Sequence, residues 1–207
     1  MNKPIIMIGN GGHASVLTEM LLAQKRKIIG FTAPTIEENT FGLSYLGTDE
    51  VIEEYNPSNI ELVLGIGTIK PSLLREKIFT MFTKKKFHFK SVIHPSAIIA
   101  PSVQLGQGVQ IMAGTIIQTN TTIADNSIIN TGALIDHDCQ IGSHIHIAPG
   151  TKISGGVNIQ KGTHVGTGAT IIQGIHIGSN CLIGAGAVVV RNIANGIKAV
   201  GVPAKEV

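Results

Sequence analysis

The sequence predicts two parts. Residues 1–90 form a small α/β domain with a parallel sheet, and residues 91–207 form a prism of short stacked β-strands. Three observations carry this prediction. From Ile93 onward an aliphatic residue recurs at every sixth position. Before residue 90, apolar runs of strand length alternate with helical segments, the pattern of a parallel sheet. The aromatic residues Phe31, Phe41, Tyr45, Tyr55, Phe79, Phe82, Phe87 and Phe89 all precede the repeat. The unusual composition of the 207-residue chain therefore belongs to its second part: 25 Gly, no Trp, 4% aromatic and 14% charged, against about 25% charged in an average domain.

In chain order, PIIMIGNGG reads as a strand running into a glycine-rich turn, and HASVLTEMLLAQK as the helix that follows. KRKIIGF is a second strand, and TDEVIEEY a short helix with Thr48 as N-cap. ELVLGIG is a third strand, PSLLREKIFTMFTKK a further helix, and FHFKSVI a connecting strand. The turn Gly9-Asn10-Gly11-Gly12-His13-Ala14 fits G-x-G-x-x-A between a strand and a helix. Glycines there let a phosphate approach the backbone, and the helix N-terminus offers N–H groups to an anion. A dinucleotide site also needs an acid about 20 residues on, and Gly30-Phe31-Thr32-Ala33-Pro34-Thr35 holds none. This argues against NAD and for a nucleotide-linked substrate, with a purely structural turn as the other reading.

The second part keeps one register over seventeen hexads, from Ile93, Ile99, Leu105 and Ile111 through Ile183 to Val189. Neither the helical period of 3.6 nor strand alternation at 2 produces such a unit. The position four later is small or β-branched, as at Ala97, Thr115, Cys139, Thr163 and Ala187, and is expected inside. The position just after the aliphatic residue is often Gly (Gly106, Gly142, Gly166, Gly178, Gly184). Short strands joined by tight turns, stacked at about 4.8 Å, satisfy this pattern. Cys139 and Cys181 both take this inward position, seven hexads apart, and read as core thiols without a disulfide.

A net charge of +3 is too weak to make nucleic acid a partner. The cluster Lys84, Lys85, Lys86 and Lys90 reads as a solvated helix end. No apolar run reaches 18 residues, and the first apolar run is too short for a signal peptide. A cytoplasmic location is expected.

The hexad pattern, with the tail GVPAKEV, resembles the hexapeptide-repeat acyltransferases, and the resemblance implies a left-handed parallel β-helix of three hexads per coil. Together with the turn GNGGHA, the whole chain resembles the bacterial sugar acetyltransferases of the NeuD/PglD group. That resemblance implies a Rossmann-like N-terminal domain, acetyl-CoA as co-substrate, a homotrimer, and N-acetylation of a UDP- or GDP-linked 4-amino sugar for surface glycan or glycoprotein biosynthesis. O-acetylation of a sialic-acid-like sugar is the nearest alternative, and a non-catalytic scaffold is a distant one.

Acetyl transfer needs a base for the attacking group and a donor for the oxyanion. His137 lies at the third position of its hexad, expected to face outward, between Asp136 and Asp138. An adjacent carboxylate orients an imidazole and raises its basicity. The segment Asn130–Cys139 resembles the family's catalytic segment, which makes His137 the general base and Asp138 its support, where the family usually has Glu. By the same resemblance His146 lies near the acetyl group, Gly155 supplies an oxyanion N–H, and Thr167 and Ala185 hold the pantetheine arm. Gly11, Gly12 and His13, with Gly67, are assigned to the sugar substrate. UDP-sugar members carry acids where this chain has Ala33 and Pro34, which leaves the nucleotide open. His146 and His164 are one coil apart, with no third ligand in their column, so no metal is expected. His94 is expected to cap the entry to the first hexad, while His88 and His176 receive no role.

Overall fold

The computed structural model describes residues 3–71 and 73–207; Ser72 of the helix expected over PSLLREKIFTMFTKK lies outside them. Contacts divide the chain into two units. One comprises Met1–Gly67 and Leu74–Val92, the other Thr68–Leu73 and Ile93–Val207.

In the first unit the strands are β1 (Ile5–Ile8), β2 (Ile28–Thr32), β3 (Tyr45–Gly47) and β4 (Glu61–Leu64), and the helices α1 (Gly12–Ala23) and α2 (Leu73–Lys84). The sheet is parallel in the order β3-β2-β1-β4. A central parallel strand is covered on both faces, which is why Ile5, Ile6, Met7 and Ile8 are all buried and apolar. Helix α2 buries Arg75, Ile78, Phe79 and Phe82, the spacing of one helical face. Phe79 meets Phe89 at 4.7 Å and Phe82 meets Phe87 edge-on at 5.7 Å, so the chain's aromatic residues build this core. The Arg75 guanidinium donates to Leu64 O at 3.1 Å and to Ile66 O, tying down the segment after β4. Burial pushes its pKa down to about 9, so it still carries its charge at neutral pH.

Three local expectations need correction. Tyr45–Gly47 is a strand, too short to show any alternation. TDEVIEEY forms a 3-10 helix at Asp49–Glu54, and the Thr48 hydroxyl bonds the Glu50 carboxylate instead of capping a backbone N–H. FHFKSVI is not a continuous strand: Phe89 makes one isolated pairing with Leu62, and only Val92–Ile93 at its end is extended.

The second unit is a left-handed parallel β-helix. Seventeen two-residue strands, β5 to β21, run from Val92–Ile93 to Val188–Val189. Each pairs with neighbours 18 residues away, as Ile129 does with Ile111 and Ile147, so three hexads make a coil. The first face carries Ile111, Ile129, Ile147, Val165 and Ile183; the second Ile99, Ile117, Ile135, Ile153, Ile171 and Val189; the third Leu105, Ile123, Ile141, Ile159 and Ile177. These aliphatic side chains stack inward and form one continuous core.

Two columns complete the design. The position four after the aliphatic residue is buried as expected, and its hydroxyls have partners. Thr121, Ser127 and Thr163 donate to the carbonyls of Asp136, Gly142 and Gly178 at 2.7–2.9 Å. Cys139 and Cys181 take the same place, free and buried, their thiols directed at Ser154 O and Ala194 O. The position three after the aliphatic residue has positive φ in every hexad from Gly108 to Gly186. It holds Gly, Asn, Asp or His, the residues that tolerate the left-handed region. Corner glycines at the next position after the aliphatic residue serve close packing instead: a Cβ on Gly166 would lie 2.6 Å from Ala185 N.

The register slips by two at the end. Ile193 was expected at the small inward position but takes a rung place, pairing with Ile177, and Lys198 pairs with Leu182. Strands β22 (Lys198–Val200) and β23 (Lys205–Glu206) then close the stack as an antiparallel pair.

Candidate active site

In the first unit the strand order turns back on itself at β1, with β2 on one side and β4 on the other. Ligands of open α/β sheets bind beyond the carboxyl ends of strands at such a point. The turn after β1 (Gly9–Gly12) and the turn after β4 (Gly65–Gly67) both lie there. A Cβ on Gly65 would lie 2.7 Å from the Cβ of Ala14, and one on Gly67 would lie 3.1 Å from the Cβ of His13. Gly65 is required by the packing of α1, whereas a side chain at Gly67 would need His13 to give by a few tenths of an ångström. Gly11 and Gly12 are not so required: an added Cβ meets nothing within 4 Å at either, and neither has positive φ. The N-terminus of α1 has no side-chain cap and no acid in its first turn. Gly11, Gly12, His13 and Gly67 are thus gathered at one edge. Further along the chain, Glu37 comes to this turn: Asn10 Nδ2 donates to Glu37 Oε2 at 3.0 Å, and Asn39 Nδ2 donates to Asn10 Oδ1 at 2.7 Å.

In the second unit, His137 stands at the corner between the second and third faces with its side chain half-exposed. Its Nδ1 lies 2.7 Å from Asp138 Oδ2, and its backbone N–H donates to Asp136 Oδ1 at 2.9 Å. The hydrogen bond to Asp138, with the charges of Asp136 and Asp138 against some desolvation, raises the pKa of His137 above its ordinary value. The same bond, helped by Asn120, lowers that of Asp138. With Nδ1–H given to the carboxylate, Nε2 is the free basic nitrogen. One coil on, Gly155 presses against this nitrogen: a Cβ there would lie 2.6 Å from Cε1 and Nε2 of His137. Among the described residues no acceptor takes the Gly155 N–H.

His146 is different. It is buried on the first face, with Nδ1 2.9 Å from Thr68 Oγ1 and Nε2 3.0 Å from Asn130 Nδ2. Asn130 Oδ1 accepts the Thr131 N–H at 2.8 Å, so its Nδ2 is the atom facing His146. An amide N–H only donates, so Nε2 accepts and the proton sits on Nδ1, donated to Thr68. Both ring nitrogens of His146 are therefore engaged within the chain. His164 packs edge-on to it at 4.9 Å, and burial lowers its pKa. Thr167 and Ala185 share the corner between the first and second faces, both exposed. One chain thus brings together His137, Asp138 and Gly155, but leaves His146, Thr167 and Ala185 across the second face from them. Asn130, Thr68 and Asn120 were not singled out in the sequence. Asn130 stood within the quoted segment without a role, and Thr68 is distant in sequence from everything it touches. His94 does cap the entry, its Nδ1 accepting the Ser96 N–H at 3.1 Å.

A prism of stacked hexads is the architecture of the hexapeptide-repeat acyltransferases. The model of the PglD N-terminal domain matches residues 4–82, and that of the bacterial transferase hexapeptide matches residues 102–137. PerB from Caulobacter crescentus, solved in complex with CoA and GDP-perosamine, is 36% identical over all of this chain and 98% of its own, with a TM-score of 0.91. The acetyltransferase domain of PglB from Neisseria gonorrhoeae, solved with acetyl coenzyme A, is 31% identical over the full length of both chains, with a TM-score of 0.93. WeeI from Acinetobacter baumannii, 24% identical with a TM-score of 0.88, shares the fold. No curated protein sequence matches the chain significantly. The chain belongs to the sugar acetyltransferases of the PglD/NeuD group.

Proposed function

We propose that the protein transfers the acetyl group of acetyl-CoA to the amine of a nucleotide-linked 4-amino sugar. The observation that carries this reading is the His137–Asp138 pair with Gly155 against Nε2. Its support from relatives is that PerB is described with CoA and GDP-perosamine and the PglB domain with acetyl coenzyme A. In the reaction, His137 Nε2 takes the proton from the amine as its nitrogen bonds to the thioester carbonyl carbon. Asp138 holds the imidazolium so formed, and the Gly155 N–H donates to the oxyanion. The C–S bond then breaks, and His137 returns the proton to the departing thiolate. Neither cysteine takes part, and burial pushes the Cys139 thiol up in pKa.

The nucleotide is assigned to the turns of the first unit. Gly11 and Gly12 have no steric need within the chain, so a ligand accounts for them best. Gly12→Val is expected to leave the melting temperature and acetyl-CoA binding unchanged while raising KM for the nucleotide sugar at least about tenfold. An unchanged KM would remove the nucleotide from this turn.

A homotrimer is part of the reading. His137 is separated from His146, Thr167 and Ala185 within one chain, so a neighbour's prism completes the site. The second face also carries an outward apolar row, Ile98, Ile116 and Leu134, with Ile98 63% exposed. Light scattering is expected to give three times the chain mass; a monomer at assay concentration contradicts it. Among the described residues no helix is long and apolar enough to cross a membrane. We place the enzyme in the cytoplasm, where its donor is made, acting in surface glycan assembly.

A further inference from the structure

We propose that Asn120 is a positioning residue for the catalytic pair, setting which Asp138 oxygen faces the imidazole. The proposal rests on the reading of His137 as general base. Asn120 lies one coil before Asp138, at the same corner, and its Nδ2 donates to Asp138 Oδ1 at 3.2 Å. The other oxygen, Oδ2, holds His137 Nδ1 at 2.7 Å. The amide orientation follows from chemistry, because an amide oxygen facing a carboxylate would set acceptor against acceptor. Asn120 is itself held: its backbone N–H donates to Ser102 Oγ at 2.9 Å, and that hydroxyl lies 2.8 Å from Thr119 Oγ1. A chain of hydrogen bonds thus runs from Ser102 through Asn120 and Asp138 to His137.

The backbone at this corner strengthens the argument. The left-handed position favours glycine, and at the corner between the first and second faces it is glycine in the five coils from Gly114 on: Gly114, Gly132, Gly150, Gly168 and Gly186. The corner of His137 continues with Gly156 and Gly174 but carries Asn120 and Asp138, with φ 59° and 60°, stacked on one another where the pair sits. Two residues less suited to the conformation are kept side by side, and the bond between them ends on the base. A stacked pair at the third corner, Asn126 with His144 at 2.9 Å, shows that such contacts also arise away from the chemistry. The charged groups around the pair are few. Asp136 flanks it on its own turn, the following coil contributes the glycines Gly155 and Gly156, and the preceding coil contributes the neutral Thr119 and Asn120.

Asn120→Gly deletes the amide while easing the backbone, so the chain still folds. Asn180→Gly makes the same exchange at an exposed left-handed position away from His137 and serves as control. For Asn120→Gly, kcat is expected to fall about three- to tenfold, the effect of one hydrogen bond to a charged group, with both KM values within about twofold. The acid limb of the kcat–pH profile is expected to move to lower pH, because a freed Asp138 holds the imidazolium less well. Asn180→Gly should change neither. Wild-type kcat and an unmoved acid limb in Asn120→Gly overturn the proposal. His137→Ala, run alongside, separates the two readings: if that variant also keeps wild-type kcat, it is the assignment of the base that has failed.

Discussion

His137→Ala is expected to lower kcat by about 10²–10⁴-fold, the usual contribution of a general base, while acetyl-CoA binding is retained. The loss is chemical because the imidazole is exposed, stands at a corner outside the core, and makes no contact that the prism needs. The pH dependence of the intact enzyme follows from the same geometry. A base acts only when neutral, so kcat should fall tenfold per pH unit below the pKa of His137. That pKa is raised first by the hydrogen bond to Asp138 and then by the charge of Asp136. The midpoint of the acid limb is therefore expected above about 6.5, the ordinary histidine value. A midpoint at or below that value means that Asp138 does not support the base in solution as it does in the structure.

Gly155→Ala carries the second large effect. The residue is buried and does not have positive φ, so its backbone accepts alanine. The new methyl, however, would sit 2.6 Å from Nε2 of His137 and force the ring aside. A displaced base combined with a shifted oxyanion donor is expected to reduce kcat about 10²-fold or more, at nearly unchanged melting temperature. Gly156→Ala, one residue on, separates the causes. Its φ of 68° makes alanine strained, and its Cβ would meet nothing within 4 Å, so it should lower stability and leave the base in place. Equal kcat losses in the two variants would make the Gly155 effect one of general strain.

Much of this was legible in the sequence because a repeat repeats its physics. Ile93 to Val189 announce the rungs, and Thr163 or Cys181 four places on announce the interior, since every coil poses the same packing problem. The left-handed column was equally open to view, as Gly, Asn, Asp or His three places after each aliphatic residue from Leu105 to Ile183. It was obscured by the more conspicuous glycines one place after the aliphatic residue, which serve coil-to-coil packing. His137 and Asp138 were legible because they adjoin in sequence. Asn120 was not, because its partner is 18 residues away and its role appears only when coils stack. Thr68 lies far from His146 in sequence, and no local pattern joins them. In the first unit, the bond from Asn10 to Glu37 was missed because the two are 27 residues apart. Tyr45–Gly47 and Ile193 show the other limit: three residues carry no period, and a register that slips by two at the final coil breaks the rule that revealed it.

The most direct test of the account is acetyl transfer followed by mass spectrometry, with acetyl-CoA offered against GDP- and UDP-linked 4-amino sugars and a sialic acid. The account predicts that a nucleotide-linked amino sugar gains one acetyl group as an alkali-stable amide, and that His137→Ala loses this activity. Acetylation of the sialic acid alone, as an alkali-labile ester, or undiminished transfer by His137→Ala, would contradict it.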